Sequence, residues 1–162
     1  MLQAPHLAGV NRVIWNLRHD PLPPGPADEE SGGRALSVLG PLVIPGEYTV
    51  RLSAGEKMFE QKLQVLEDPR IQISAGDRTL WTDALLAIGA SYRGAVSLVE
   101  EVARHRGAPS TDLSAVAREL QSRLLALYRD VAQSTAKPTA DQQAQMQFLK
   151  TELDSLRKRV NP

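Results

Sequence analysis

The sequence predicts an α+β fold, with antiparallel strands in the first 70 residues and an antiparallel three-helix bundle after them. Three observations carry this. The apolar period changes near residue 70, from two to a mixture of three and four. The clearest strand pair, IPGEYTVRLSAGEKMFEQKLQVLEDPR, ends just before that change. Beyond it, HRGAPST (105–111) and STAKPT (134–139) divide the chain into three segments of similar length.

The first element is NRVIWNLR (11–18). Val13, Trp15 and Leu17 alternate with Ile14, Asn16 and Arg18, which predicts a half-buried strand anchored in a core by Trp15. Proline, glycine and acidic residues dominate 19–41, so a long mobile loop is expected there. Pro45-Gly46 then turns the chain into a strand with Tyr48, Val50 and Leu52 on one face. Ala54-Gly55-Glu56 fits a short hairpin loop. The return strand sets Phe59, Leu63 and Val65 on one face, interrupted by Gln61, and stops at Asp68-Pro69.

Helical spacing starts after Asp77. The first helix (79–105) carries Trp81, Leu85, Ile88, Tyr92, Ala95, Val99 and Val102, capped by Asp77 or Thr79. Gly107 and Pro109 end it. The second (112–133) carries Leu113, Val116, Leu120, Leu124, Leu127 and Val131, with Ser110, Thr111 or Asp112 as N-cap. The third (140–160) opens on a Thr139–Gln142 capping box and carries Met146, Leu149, Leu153, Leu156 and Val160. Short connections fold the helices up, down and up. A coiled-coil dimer is the competing use of the same seams.

Composition narrows the function classes. The 162 residues are 42% apolar, enough for a core, and only 4% aromatic, which argues against a base-stacking platform. Charge is balanced in both halves: 7 basic and 9 acidic residues in 1–76, 12 basic and 10 acidic in 77–162. No basic patch points to nucleic acid, and no run of about 20 apolar residues is present to insert in a membrane. MLQAPHLAGV lacks the features of a signal peptide. The chain has no cysteine, which removes disulfides and thiolate chemistry.

No chemistry-bearing motif emerges. His6, His19 and His105 are scattered, with no metal-ligand spacing. The acids at 28–30 fall in the expected loop, where rigid carboxylate spacing is not available. Gly89 and Gly94 lie inside a helical pattern, where small residues let helices approach rather than bind phosphate. Arg157, Lys158 and Arg159 end a helix, as the dipole favours. Trp15, Trp81 and Tyr48 occupy periodic positions suited to packing, whereas Arg12, Arg18, Arg51 and Arg70 are more open, three of them on polar strand faces with Glu47, Glu60 or Asp68 as pairing partners. No cofactor or metal is expected.

Three motifs carry a resemblance: Gly9, Asn11, Arg12, Trp15, Asn16, Leu17 and Arg18; then Pro45, Gly46, Tyr48, Thr49, Val50 and Leu52; then Asp68, Pro69 and Arg70. Together with KPTADQQAQ at the third helix start, they resemble the C-terminal region of bacterial exported sortilin-like or Asp-box (BNR, sialidase-type) β-propeller proteins, often labelled glycosyl hydrolases. The strand region also resembles the immunoglobulin-like module of flagellar hook-capping proteins. The resemblance implies a partial antiparallel immunoglobulin-like β-sandwich over 1–70 and an exported or periplasmic setting. It makes Asn11, Arg12, Trp15, Asn16, Arg18, Pro45, Gly46, Tyr48, Asp68 and Arg70 structural motif residues, with Asn16 standing where the family usually has aspartate. The family module carries a further strand pair and a propeller upstream, and any hydrolase activity would belong to that propeller. The expectation is therefore a non-catalytic interaction module. Its partner is a protein or an upstream propeller domain, or a second copy paired through an open sheet edge or the helix seams. Carbohydrate recognition on the sheet face is the alternative.

Overall fold

The computed structural model describes residues 8–24, 38–104 and 110–160. The elements run β1 (Gly46–Ala54), β2 (Lys57–Val65), α1 (Ala75–Arg104), α2 (Ser110–Gln133) and α3 (Ala140–Val160).

The bundle follows from its apolar stripes. Trp81, Leu85, Ile88, Tyr92, Ala95 and Leu98 of α1 are buried against Leu120, Leu124, Leu127, Tyr128 and Val131 of α2 and Leu149, Leu153 and Leu156 of α3, and Val102 is buried as well. On α2 the stripe is rotated slightly from expectation, so Ala117 is buried and Val116 is 39% exposed. Trp81, near the start of α1, donates from Nε1 to Val131 O in the last turn of α2 at 2.9 Å, satisfying a helix-end carbonyl. Gln142 at the start of α3 donates to Asp130 Oδ2 near the end of α2 at 2.8 Å. The three helices therefore alternate in direction, and their seams are filled within one chain.

Helix starts obey capping chemistry. Thr139 Oγ1 accepts from Gln142 N at 3.2 Å while Gln142 Oε1 accepts from Thr139 N at 2.9 Å, the reciprocal capping box. In α1 the cap is Ser74, earlier than expected: its Oγ accepts from Asp77 N at 3.0 Å and donates to Asp77 Oδ2 at 2.9 Å. Asp77 is the third helical residue rather than the cap. The side chains of Ser110, Thr111 and Asp112, together with Gly107 and Pro109, lie outside the described residues.

The β region differs from expectation. The described residues form one two-stranded antiparallel sheet, not an immunoglobulin-like sandwich. Residues 11–18 make no strand. Asn16 Oδ1 accepts from Arg18 N at 3.2 Å, and Leu17 takes a left-handed φ of 58°. This side-chain turn competes with extended pairing and breaks the alternation. Val13, Ile14 and Leu17 are exposed, and Trp15 is half-buried rather than a core anchor.

The expected mobile loop is anchored at both ends. His19 N donates to Pro41 O at 2.9 Å, Leu22 N to Val38 O at 2.8 Å and Val43 N to Leu17 O at 2.9 Å, all in one antiparallel register. This strap lies on the bundle. Leu22 is 2% exposed within the helical core, and Tyr128 Oη donates to Leu39 O at 2.9 Å. Arg93 Nη2 donates to Asp20 O and Pro21 O, both at 3.2 Å. Gly40 is required by close approach: a Cβ there would collide with His19 O and sit 2.5 Å from Asp20 O. Residues 25–37, including the acids at 28–30, lie outside the described residues, as do His6 and His105.

Candidate functional site

The hairpin is the element with the least structural reason for its own composition. Its loop is Gly55-Glu56, with Gly55 at φ 61° in the position where a two-residue turn favours glycine. Strict alternation gives two unlike faces. One carries Glu47, Thr49, Arg51 and Ser53 opposite Gln64, Lys62, Glu60 and Met58. Arg51 Nε bonds Glu60 Oε1 at 2.7 Å, and Lys62 Nζ pairs with Glu47 Oε1 at 2.8 Å. The other face carries Tyr48, Val50 and Leu52 opposite Leu63, Gln61 and Phe59.

That second face has the composition of a core surface, yet among the described residues no helix packs on the hairpin. Phe59 is 55%, Leu52 51% and Val50 49% exposed. Isolated exposed apolar residues are ordinary, but a contiguous row on one sheet face marks a contact surface. Only the foot is braced. Trp15 meets Tyr48 edge-on, with ring centroids 5.4 Å apart at 63°. Tyr48 Oη donates to Ile44 O at 2.6 Å, and Trp15 Nε1 to Arg18 O at 3.2 Å. The aromatic pair lines one end of an open cleft of about 640 Å³ that follows β1 from Tyr48 to Leu52 and is also lined by Val13, Arg18 and Asp20.

The motif residues separate into four places. Trp15, Asn16, Arg18 and Tyr48 meet at the cleft, where Arg18 Nη1 also donates to Gly40 O at 2.8 Å and ties the strap. Asn11 and Arg12 are exposed away from it, Asn11 Nδ2 donating to Gly9 O at 3.4 Å. Pro45 and Gly46 are half-buried at the foot of β1. Asp68 and Arg70 close on each other beyond β2: Arg70 Nη2 bonds Asp68 Oδ2 at 2.6 Å, and Arg70 N donates to Asp68 Oδ1 at 2.9 Å. These bonds hold the Asp68 carboxyl below its ordinary range, the guanidinium contributing most, and raise Arg70. Of the four arginines read from the sequence as more open, Arg51 and Arg70 have acidic partners, whereas Arg18 donates to the Gly40 carbonyl and Arg12 is exposed.

Two buried features escaped that reading. Arg78, 4% exposed, donates from Nη2 to Glu67 Oε1 at 3.1 Å and lies 5.1 Å over the Trp81 ring. Its Nε is 3.0 Å from Glu67 Oε2 but off the hydrogen-bond axis, so an ion pair rather than an aligned bond satisfies it. This pair clamps the segment leaving β2 to α1. Burial also pushes the Tyr128 hydroxyl up from its ordinary value, partly offset by Arg18 and Arg93. Gly89 and Gly94 serve helix and strap approach, facing Leu22 and Tyr128, and Leu153 and Arg157, respectively.

Among the described residues no group of three or more His, Asp or Glu is placed to hold a metal, and no helix is long and apolar enough to cross a membrane. No protein-family model, curated protein or solved structure matches the chain.

Proposed function

We propose that this chain is a non-catalytic interaction module in which the helical bundle holds the β1–β2 hairpin out as a binding arm. The observation that carries this reading is the exposed row of Val50, Leu52, Phe59 and Leu63, continued by half-buried Tyr48 at the foot, on a hairpin whose other face is charged and polar apart from Met58. A two-stranded hairpin is marginal alone, and an apolar face in water adds nothing to its stability. The composition makes sense if another protein covers the face. A β-structured partner, such as a propeller domain, fits because the arm offers both an apolar surface and open strand edges.

The test is photo-crosslinking in the source cell, with a photoreactive residue replacing Val50, Leu52 or Phe59 and, as control, exposed Gln147 on α3. A discrete crosslinked species from the hairpin positions alone supports the reading. Equal crosslinking from the control, or none from the hairpin, sinks it.

The cleft beside Trp15 and Tyr48, with Arg18 and Asp20 on its wall, favours carbohydrate recognition as the second reading. Glycan binding lost in Trp15→Ala while the helical melting temperature falls by no more than about 4 °C would establish it.

A further inference from the structure

Resting on the reading of the hairpin as an arm, we propose that its open strand edge is taken by a second copy of this chain, joined edge to edge through β1, so that two apolar faces merge into one four-stranded binding surface. The two β1 strands run antiparallel about a two-fold axis that sets Thr49 opposite Thr49 of the second copy.

The argument is one of register. Among the described residues β1 pairs with β2 alone, so its outer edge presents free N–H and C=O groups. A two-fold pairing keeps both apolar faces on one side only if paired residue numbers sum to an even number. Few registers remain. Centring on Glu47 or Arg51 sets like charges opposite each other, which is destabilising. Centring on Tyr48 or Val50 leaves Glu47 and Arg51 facing neutral residues. Centring on Thr49 sets Glu47 opposite Arg51 twice, Thr49 opposite Thr49, and Tyr48 opposite Val50 twice. Opposite charges, Thr–Thr and aromatic–β-branched pairs are the cross-strand classes that stabilise sheets.

The charges extend across all four strands. Arg51 already holds Glu60 at 2.7 Å and Glu47 already holds Lys62 at 2.8 Å. In the Thr49 register each Arg51 lies between two carboxylates and each Glu47 between two cations. The β2 edge has a self-complementary register too, Glu60 opposite Lys62 about Gln61. That register puts Gln61 on Gln61 in the middle of the apolar face. It also drives Lys57 against Val65, which is buried at the foot of the arm. Lysines on an edge are a usual guard against pairing, and β1 has none.

The interface is small, so a reversible dimer is expected and concentrations from about 1 to about 300 μM are needed to see it. The experiment is sedimentation of the full chain with Glu47→Arg and Arg51→Glu, each alone and as an equimolar mixture. Wild type is expected to dimerise, and each variant alone, with two pairs turned repulsive, to dimerise roughly thirtyfold more weakly. The mixture restores opposite charges at both positions and recovers the dimer, which misfolded hairpins would not do. A monomeric wild type, unaffected single variants or a mixture that stays monomeric each overturn the proposal. So does a dimer lost only on Glu60→Lys, which would assign the β2 edge. A monomeric wild type whose hairpin still crosslinks to an unlike protein removes the second copy but leaves the arm. Monomer and silent crosslinkers together remove both.

Discussion

Replacing Gly40 by alanine tests whether the strap is part of the folded core. The added Cβ would collide with His19 O and lie 2.5 Å from Asp20 O and 2.8 Å from His19 C, all backbone atoms that no rotamer change can move. The two segments must part. The bonds at risk are His19 N to Pro41 O, Leu22 N to Val38 O and Arg18 Nη1 to Gly40 O, at 2.8–2.9 Å. At about 1 kcal/mol each, their loss costs about 3 kcal/mol. If Leu22 also leaves the core, burial worth a further 2 kcal/mol or so is lost. For a chain of this length a loss of about 3–5 kcal/mol lowers the melting temperature by about 6–20 °C. Thermal unfolding followed by helical circular dichroism reads the stability, and amide exchange at His19, Leu22 and Val43 reads the strap. Gly55→Ala is the control: nothing lies within 4 Å of its Cβ, but φ is 61°. It should cost only about 1 kcal/mol, confined to the hairpin tip. A Gly40→Ala protein that melts with wild type and keeps slow exchange at those amides refutes the docking.

Trp15→Ala should lower stability by only about 1 kcal/mol, because the ring is half-exposed and braces Tyr48 rather than filling a core; a loss of 3 kcal/mol or more in the same melt would reinstate the anchor. Glu67→Ala should cost more than Arg78→Leu, about 2–3 kcal/mol against about 1 in denaturant titration, because Glu67 is open to water on one side whereas Arg78 is buried and its charge would be stranded. Asp68 should titrate below the ordinary aspartate range by carboxyl NMR and move back toward it in Arg70→Ala. Because pairing favours the carboxylate, whatever this contact contributes is complete above the ordinary aspartate pKa and fades as pH falls through the lowered one.

The helices were legible because their signals are local and redundant. Apolar spacing, short breaks and the Thr139–Gln142 box all agree, and each side chain so marked on α3 is buried or partly buried. The hairpin was legible for the same reason: Gly55 and alternation are sufficient to set its register. Residues 11–18 misled because Val13, Trp15 and Leu17 alternate as a strand does, while the deciding feature is the Asn16 side chain capturing Arg18 N. Asn16 signals a turn only weakly when apolar residues surround it. The strap was hidden for a different reason. Its bonds join residues about 20 apart across a proline-rich segment, and period carries no information about such pairing. Leu22 between prolines and Val38 before Gly40 were the available clues. Nothing local marks Arg78 as buried, since only the path of Glu67 shows that it is covered. As for the site, the sequence identified the apolar hairpin face correctly and assigned it wrongly to a core.

That error is informative about function. A protein that needed the hairpin for stability would fold it onto the bundle, where Phe59, Leu52 and Leu63 would each gain about 1.5–3 kcal/mol from burial. Instead, α1, α2 and α3 complete their core without it, and the strap adds Leu22 to that core from the other end of the chain. The hairpin is then attached at its foot by two separate devices, Trp15 against Tyr48 before the ladder and Glu67 against Arg78 after it. Both hold its base, and beyond Tyr48 neither covers its apolar face. Burying an arginine to anchor a short connector is a costly way to stabilise a fold. It is a sensible way to fix the direction of an arm, since binding costs least when the binding element is already oriented. Separation of the core from the arm also means that substitutions on the apolar face leave the bundle intact, so their effects on association can be read without the confounding loss of the fold.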